Sequence, residues 1–364
     1  MPRQATIAST AAQPTIESVR DDVNLLLDEF YARGTERAAT LHASYGRLWA
    51  AMHANHRAGG KRLRPYVTML AYWGLGGTHY ARVLPAAAAL ELLHASLLAH
   101  DDIIDRDYVR HGVPNIAGQY QAIYRADGLT AAQITHYADG AALLGGDLLL
   151  AGAHQLINRS ALLGEQKSQA LELLGEAMFV VAGGELLDTE AAFLTHEGTS
   201  SLQIAQLKTA HYSFVTAFSL GATLAGAEPA VVQRLARAGR AIGVAFQLAD
   251  DLLGVFGDEA VTGKSTINDL AEGKRTYLIE RALAQTDAAG QQLLRSTLGN
   301  PQAPPADILA TKALLVDCGA KADIEAVIVR EHAHALQLLA DIPLNPAAQQ
   351  SLRQLLDQLA QREV

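Results

Sequence analysis

The chain has 364 residues, 49% of them apolar and only 5% aromatic, and carries a formal charge of −9. Such an apolar share supports a sizeable core, and an alanine- and leucine-rich chain poor in aromatics favours helix over strand. The negative balance excludes nonspecific nucleic-acid binding, which needs a basic face, and a lone cysteine, Cys318, excludes an intrachain disulfide framework and fits a reducing cytoplasm.

The opening MPRQATIASTAAQPTIES lacks a signal-type apolar core. It reads as a flexible leader over 1–17, followed by one all-α domain over 18–364. No uninterrupted apolar run reaches the ~18–20 residues that span a bilayer, so no membrane span is expected. Helical periodicity places Val19, Val23, Leu26, Leu27 and Phe30 on one face over 18–32. A longer helix is expected to start near Pro85 and run through PAAAALELLHASLLAHDDIID. Further helices are predicted over 138–158, 165–188, 200–226, 229–256, 307–318, 321–341 and 345–361, punctuated by Gly59-Gly60, Gly76-Gly77 and Pro301–Pro305. No alternating strand pattern with hairpin turns is present, and the helices after Pro301 carry no recognisable chemistry.

HDDIIDRDYVRHG, at 100–112, puts four aspartates into seven positions directly after an oily run. On a helix Asp101 and Asp105 share a face with Asp102 beside them, and like charges at that spacing repel unless a cation offsets them. Asp107 lies off that face and reads as a solvated charge. Oxygen-only ligation suits Mg²⁺ shared between carboxylates and substrate phosphates; the bland alternative is a solvated acidic helix end. A second acidic pair, Asp250 and Asp251, stands in FQLADDLLGVFGD roughly 150 residues later, again inside an apolar helical pattern. Two such helices can rim an aliphatic pocket with acid and clamp a diphosphate through metal.

Cations form matching groups. GGKRLRP supplies Lys61, Arg62 and Arg64; AQLKTAHY supplies Lys208 beside Thr209; Lys264, Lys274 and Arg275 follow the second acidic pair. Each alone reads as a solvated or snorkelling side chain. Together with two acidic clusters they read as a site for two anionic groups plus metal.

In this order the motifs GGKRLRP, ELLHASLLAHDDIID, GDLLLA, Lys208-Thr209, FQLADD and GKSTINDLAEGKRT resemble the trans-isoprenyl diphosphate synthases, or polyprenyl synthetases, over about residues 55–280. The resemblance implies a bundle of mostly antiparallel helices around a deep cavity, usually a homodimer. It implies head-to-tail condensation of isopentenyl diphosphate with an allylic primer: dimethylallyl, geranyl or farnesyl diphosphate. By the same resemblance Asp101, Asp102, Asp105, Asp250 and Asp251 bind Mg²⁺, three ions with substrate present and Mn²⁺ as a substitute. Arg110, Lys208 and Lys264 take the allylic diphosphate, with Lys274 in the same basic group. Lys61, Arg64 and His94 take isopentenyl diphosphate, and Gln247 and Thr209 lie near the reacting carbons.

Three positions depart from the family pattern. His111 stands where a second arginine usually helps bind isopentenyl diphosphate, and a neutral imidazole is the weaker anion ligand. Gly254 replaces a third aspartate, with Asp258 one turn further on. Glu185, in GGELLD, replaces a glutamine three residues before Asp188.

In the family, large aromatics four or five residues before the first aspartate motif limit product length. Leu97 and Ser96 occupy those places, and five residues span about 7.5 Å of helix. Leu92 and Leu93 come next, then Ala86–Ala89, which either leave space or pack tightly against a neighbour. The expected product is geranylgeranyl diphosphate, with farnesyl or longer chains as alternatives, and Ser96→Phe is expected to shorten it. A class I terpene cyclase is disfavoured because FQLADDLLG lacks that class's second metal triad and GGKRLRP serves a second diphosphate. GDEAVTGKS has its glycines one residue too far apart for a phosphate-binding loop and follows a helical pattern. Retention of both aspartate pairs speaks against a non-catalytic regulatory subunit.

Overall fold

The computed structural model describes residues 13–110, 112–191, 200–257, 270, 273–300 and 302–360. Helix dominates them, as the composition indicated. The chain divides into two compact units, Met1–Leu174 with Thr223–Ala225, and Gly175–Ala222 with Gly226–Val364.

In the first unit α1 spans Ile16–Leu41. Its start is fixed by a capping box: Ser18 N–H donates to Thr15 Oγ1 at 3.1 Å and Thr15 N–H donates to Ser18 Oγ at 3.0 Å. This start lies two residues inside the segment assigned to the leader. Val19, Val23, Leu27 and Tyr31, four apart, make its buried stripe. Then come α2 (Ala43–Arg57), α3 (Leu63–Gly74), α4 (Tyr80–Ile104), α5 (Ile116–Tyr124) and α6 (Ala131–Arg159). Between α4 and α5 a short antiparallel pair, β1 (Val109–Arg110) and β2 (Val113–Pro114), forms a hairpin that the strand-free reading did not anticipate. Two-residue strands are too short to show alternation.

The helix α4 starts at Tyr80, not near Pro85, which sits inside it. Burial of Val83 and Leu84 draws the preceding turn into the helix and outweighs the lost backbone hydrogen bond. Ala86–Ala89 are all fully buried, so the alanine run is closely packed along its whole length. The helices α4 and α6 pack extensively on each other. Both are long and apolar enough, by length and composition, to cross a membrane, which no count of uninterrupted apolar residues disclosed. Of their most apolar windows 67% and 44% are buried inside the structure, so α4 is the more deeply enclosed of the two.

The helix α7 (Gly164–Ala191) runs from the first unit into the second. After it, α8 (Ser201–Ile204) passes into a π-helical segment, Ala205–Val215, and then into α9 (Thr216–Leu224). The central helix of the second unit is α10 (Pro229–Phe256), opened by Pro229 in its first turn. It packs on the π segment, on α14 (Ala320–Ala340) and on α15 (Pro346–Ala360). The remaining helices are α11 (Tyr277–Gln285), α12 (Ala288–Thr297) and α13 (Pro305–Asp317). The chemistry-free helices after Pro301 thus supply the wall against which α10 is held.

Close approach between α10 and the π segment depends on two glycines. A Cβ on Gly243 would stand 2.5 Å from Ala210 Cβ, and one on Gly239 would stand 2.9 Å from the Phe214 carbonyl carbon. Gly243→Ala is therefore expected to destabilise the protein by about 1–3 kcal/mol through overpacking. Gly175→Ala on α7, where a Cβ meets nothing within 4 Å, is expected to stabilise it by about 0.5–1 kcal/mol. Urea unfolding of the two variants checks both signs.

Candidate active site

In the first unit Asp101 and Asp102 occupy the last turn of α4, and Asp105 is its C-cap residue. Carboxylates there face the negative end of the helix dipole and one another, the least favourable location for uncompensated negative charge. Asp102 is buried, with 4% of its surface exposed. Desolvation pushes its pKa up, partly offset by the Arg110 guanidinium. Arg110, on β1, donates from Nε to Asp102 Oδ1 at 3.0 Å and from Nη2 to the same oxygen at 2.5 Å; Nη2 also stands 3.6 Å from Asp101 Oδ2. Burial alone would depress the arginine, but the Asp102 carboxylate more than offsets it and holds its pKa above the ordinary value.

The hairpin exists to bring that cation back. Asp107 N–H donates to the Asp102 carbonyl at 2.8 Å, and Arg106 adopts a left-handed φ of 59° to start the turn. Asn115 Nδ2 donates to the Asp107 carbonyl at 2.8 Å and closes it. Asp107 itself is half-buried and not a fully solvated charge. Lys61 is exposed, whereas Arg64 and His94 are half-buried. His111 lies outside the described residues.

On α4 the half-buried positions His94, Leu97, Leu98 and Asp101 recur at helical spacing and share a face. Ser96 is fully buried, and its hydroxyl finds no hydrogen-bond partner among the described residues. Leu93 is likewise fully buried. Leu97 and Leu98, four residues before Asp101 and Asp102, are thus in line with the aspartates, and Ser96 is turned away from them.

In the second unit the π segment carries Lys208 and Thr209, and such segments recur at functional sites because the added residue re-aims side chains. Thr209 Oγ1 donates to Gln247 Oε1 at 2.7 Å, and Gln247 Nε2 donates to Asp251 Oδ1 at 2.8 Å. The sequence-predicted residues Thr209, Gln247 and Asp251 therefore form one hydrogen-bonded chain from the π segment to α10. Asp250 and Asp251 lie within the last two turns of α10, again at the negative end of a helix, and both are half-buried.

Lys208 Nζ lies 2.6 Å from Asp188 Oδ2 and 3.0 Å from Glu185 Oε2, both on α7. Gly184 permits this approach, since a Cβ there would stand 2.4 Å from the Lys208 backbone nitrogen. Asp188 and Glu185 were not among the expected site residues. Their spacing of three after a Gly-Gly, opposite a lysine in an apolar helix, is the signal that would have marked them. Lys274 is half-buried in irregular backbone before α11. Lys264 and Asp258 lie outside the described residues, so Asp258 is not placed as a substitute for the aspartate missing at Gly254.

Among the described residues no three His, Cys, Asp or Glu side chains converge closely enough to hold a metal ion by themselves. Each carboxylate set, taken by itself, offers oxygen-only donors of the kind that suit a hard divalent cation completing its shell with water and phosphate oxygen.

The sequence profile of a family described as Polyprenyl synthetase matches residues 46–315. A geranylfarnesyl diphosphate synthase of Aeropyrum pernix is 34% identical over 319 residues, covering 84% of this chain and 91% of its own. A geranylgeranyl diphosphate synthase of Saccharolobus solfataricus is 31% identical over 294 residues, covering 79% and 82%. Among solved structures, a geranylgeranyl pyrophosphate synthase from Corynebacterium glutamicum, complexed with isoprenyl diphosphate and magnesium, superposes with a TM-score of 0.90 at 29% identity, covering 96% of this chain and all of that one. The helical architecture, the ordered aspartate motifs and these likenesses agree, and the chain belongs to the polyprenyl synthetase family of trans-prenyltransferases.

Proposed function

We propose that this prenyltransferase condenses isopentenyl diphosphate head-to-tail with an allylic diphosphate and releases geranylgeranyl diphosphate. The observation that carries this reading is the desolvated Asp102 at the end of an apolar helix, held beside Asp101 by a single arginine. In this reading Asp101, Asp102, Asp105, Asp250 and Asp251 hold Mg²⁺, three ions with substrate bound. Magnesium, when bound, neutralises charge on the leaving diphosphate. Arg110, Lys208, Lys264 and Lys274 take the allylic diphosphate; Lys61, Arg64, His94 and His111 take the isopentenyl group's. The allylic C–O bond breaks, the isopentenyl double bond attacks the allylic carbon, and the departing diphosphate accepts the proton then lost. Gln247 and Thr209 face the developing allylic cation with amide and hydroxyl dipoles. Apolar walls exclude the water that would quench it.

Lys208 enters this reading already neutralised by Glu185 and Asp188, and Arg110 by Asp102. Each can exchange a carboxylate for a phosphate as substrate arrives. Leu143 and Leu144 on α6 and Phe179 and Leu186 on α7 are exposed, Phe179 to 78%. Exposed large apolar residues of this kind support assembly of the enzyme as a homodimer, and the lone Cys318 supports a cytoplasmic location.

The purified protein, given Mg²⁺, isopentenyl diphosphate and dimethylallyl, geranyl or farnesyl diphosphate, is expected to yield a twenty-carbon alcohol after phosphatase treatment. Chromatography showing no alcohol longer than the primer would refute the synthase reading. Asp101→Asn is expected to lower turnover by about 10²–10³, and chelation of divalent metal to abolish it. Leu97→Phe, which enlarges a residue in line with the aspartates, is expected to shift the product below twenty carbons. If only Ser96→Phe shortens the product, the limiting wall lies on the opposite side of α4.

A further inference from the structure

The motif GGKRLRP places three cations within four positions, and they differ in burial. Lys61 is exposed and Arg64 half-buried, whereas Arg62 retains 9% of its surface. Arg62 also adopts a left-handed backbone, with φ of 49°, which a non-glycine residue holds only when its surroundings determine it.

Those surroundings come from three helices of the first unit. Arg62 Nε donates to Asn24 Oδ1 of α1 at 2.8 Å. Its Nη2 donates to the His56 carbonyl at 2.9 Å and to His56 Nδ1 at 3.1 Å, on α2. Its Nη1 lies 3.4 Å from Glu91 Oε2 of α4. Desolvation and the Arg62 charge push the His56 pKa down to about 3, so its imidazole is neutral and Nδ1 accepts. The Tyr31 ring lies 5.1 Å from that imidazole. Gly60, at φ +143°, completes the fit: a Cβ there would stand 2.6 Å from Arg62 Nη1.

Glu91 is 6% exposed, and a buried carboxylate requires its counter-charge. It also lies one helical turn before His94 on α4. The same ion pair therefore ties the segment bearing Lys61 and Arg64, at the entry to α3, to the helix bearing His94. These are three of the four residues assigned above to the isopentenyl diphosphate, and Arg62 is the most deeply buried of the motif's cations.

We propose that Arg62, through Glu91, is a positioning residue for the isopentenyl diphosphate subsite. It does not touch substrate; it holds three substrate-binding side chains in one arrangement before substrate arrives, so that little ordering remains to be done on binding. This inference rests on the function proposed above.

The test is a comparison of kinetic constants for the two substrates. Arg62→Lys keeps the charge and loses the planar fork, and is expected to raise KM for isopentenyl diphosphate about ten- to a hundredfold. KM for the allylic primer and kcat are expected to stay within about threefold. Asn24→Ala removes one contact, leaves the ion pair in place and is expected to act in the same direction, by about threefold. It reports on the proposal even if Arg62→Lys fails to fold. Folded variants in which both KM values are unchanged, or rise together, overturn the positioning role and leave the pair a purely structural one. Wild-type protein that elongates no primer overturns the synthase reading, and this inference with it. Elongation by wild type with an unaltered KM in the variants overturns this inference alone.

Discussion

Negative charge at the edge of an apolar helix is the constraint on which the first unit is built. The helix α4 is buried without interruption from Ala86 to Leu93, yet carries Glu91 within that run and Asp101 and Asp102 at its negative end. Each buried carboxylate is met by an arginine from a neighbouring loop, Glu91 by Arg62 and Asp102 by Arg110. The GGKRLRP loop and the β-hairpin take their shapes from that requirement. Each contains a non-glycine residue with positive φ, Arg62 and Arg106, at the turn that returns a guanidinium to α4.

The second unit meets a related requirement with opposite sign. Lys208 emerges from an apolar π-helical segment, and α7 supplies Glu185 and Asp188 to balance it. Missing side chains make this possible. Gly184 lets the α7 backbone reach the Lys208 backbone, while Gly239 and Gly243 let α10 reach the same segment from its own direction. The hydrogen-bonded run from Thr209 through Gln247 to Asp251 depends on that close packing. Glycine along these helices is therefore a condition of the site, although none of it carries chemistry.

Much of this was legible in the sequence, for local reasons. The span 229–256 matches α10 because Pro229 suits a first helical turn and Gly257 ends the apolar period. The aspartate motifs stood out because their charge contradicts the apolar runs that contain them. Other features were not legible. Tyr80–Leu84 joined α4 through burial of Val83 and Leu84, a tertiary effect that outweighs the usual reading of proline as a helix start. The hairpin at 109–114 is too short to leave a periodic trace. Leu97 and Ser96 are adjacent in sequence, and only the burial of Ser96 shows which of them faces outward with the aspartates.

The sequence by itself determined the helical class, the two carboxylate clusters, the cation groups and their order, because composition, spacing and charge are local quantities. The tertiary structure decided which of those charges faces solvent and which is consumed in holding the scaffold. Lys61, Arg62 and Arg64 look alike in GGKRLRP, yet Arg62 turns inward because Asn24, His56 and Glu91, distant in sequence, converge on it. Lys208 likewise acquires its two carboxylates from a helix some twenty residues earlier. Burial sets the cost of an unpaired charge, and burial exists only once the helices have packed.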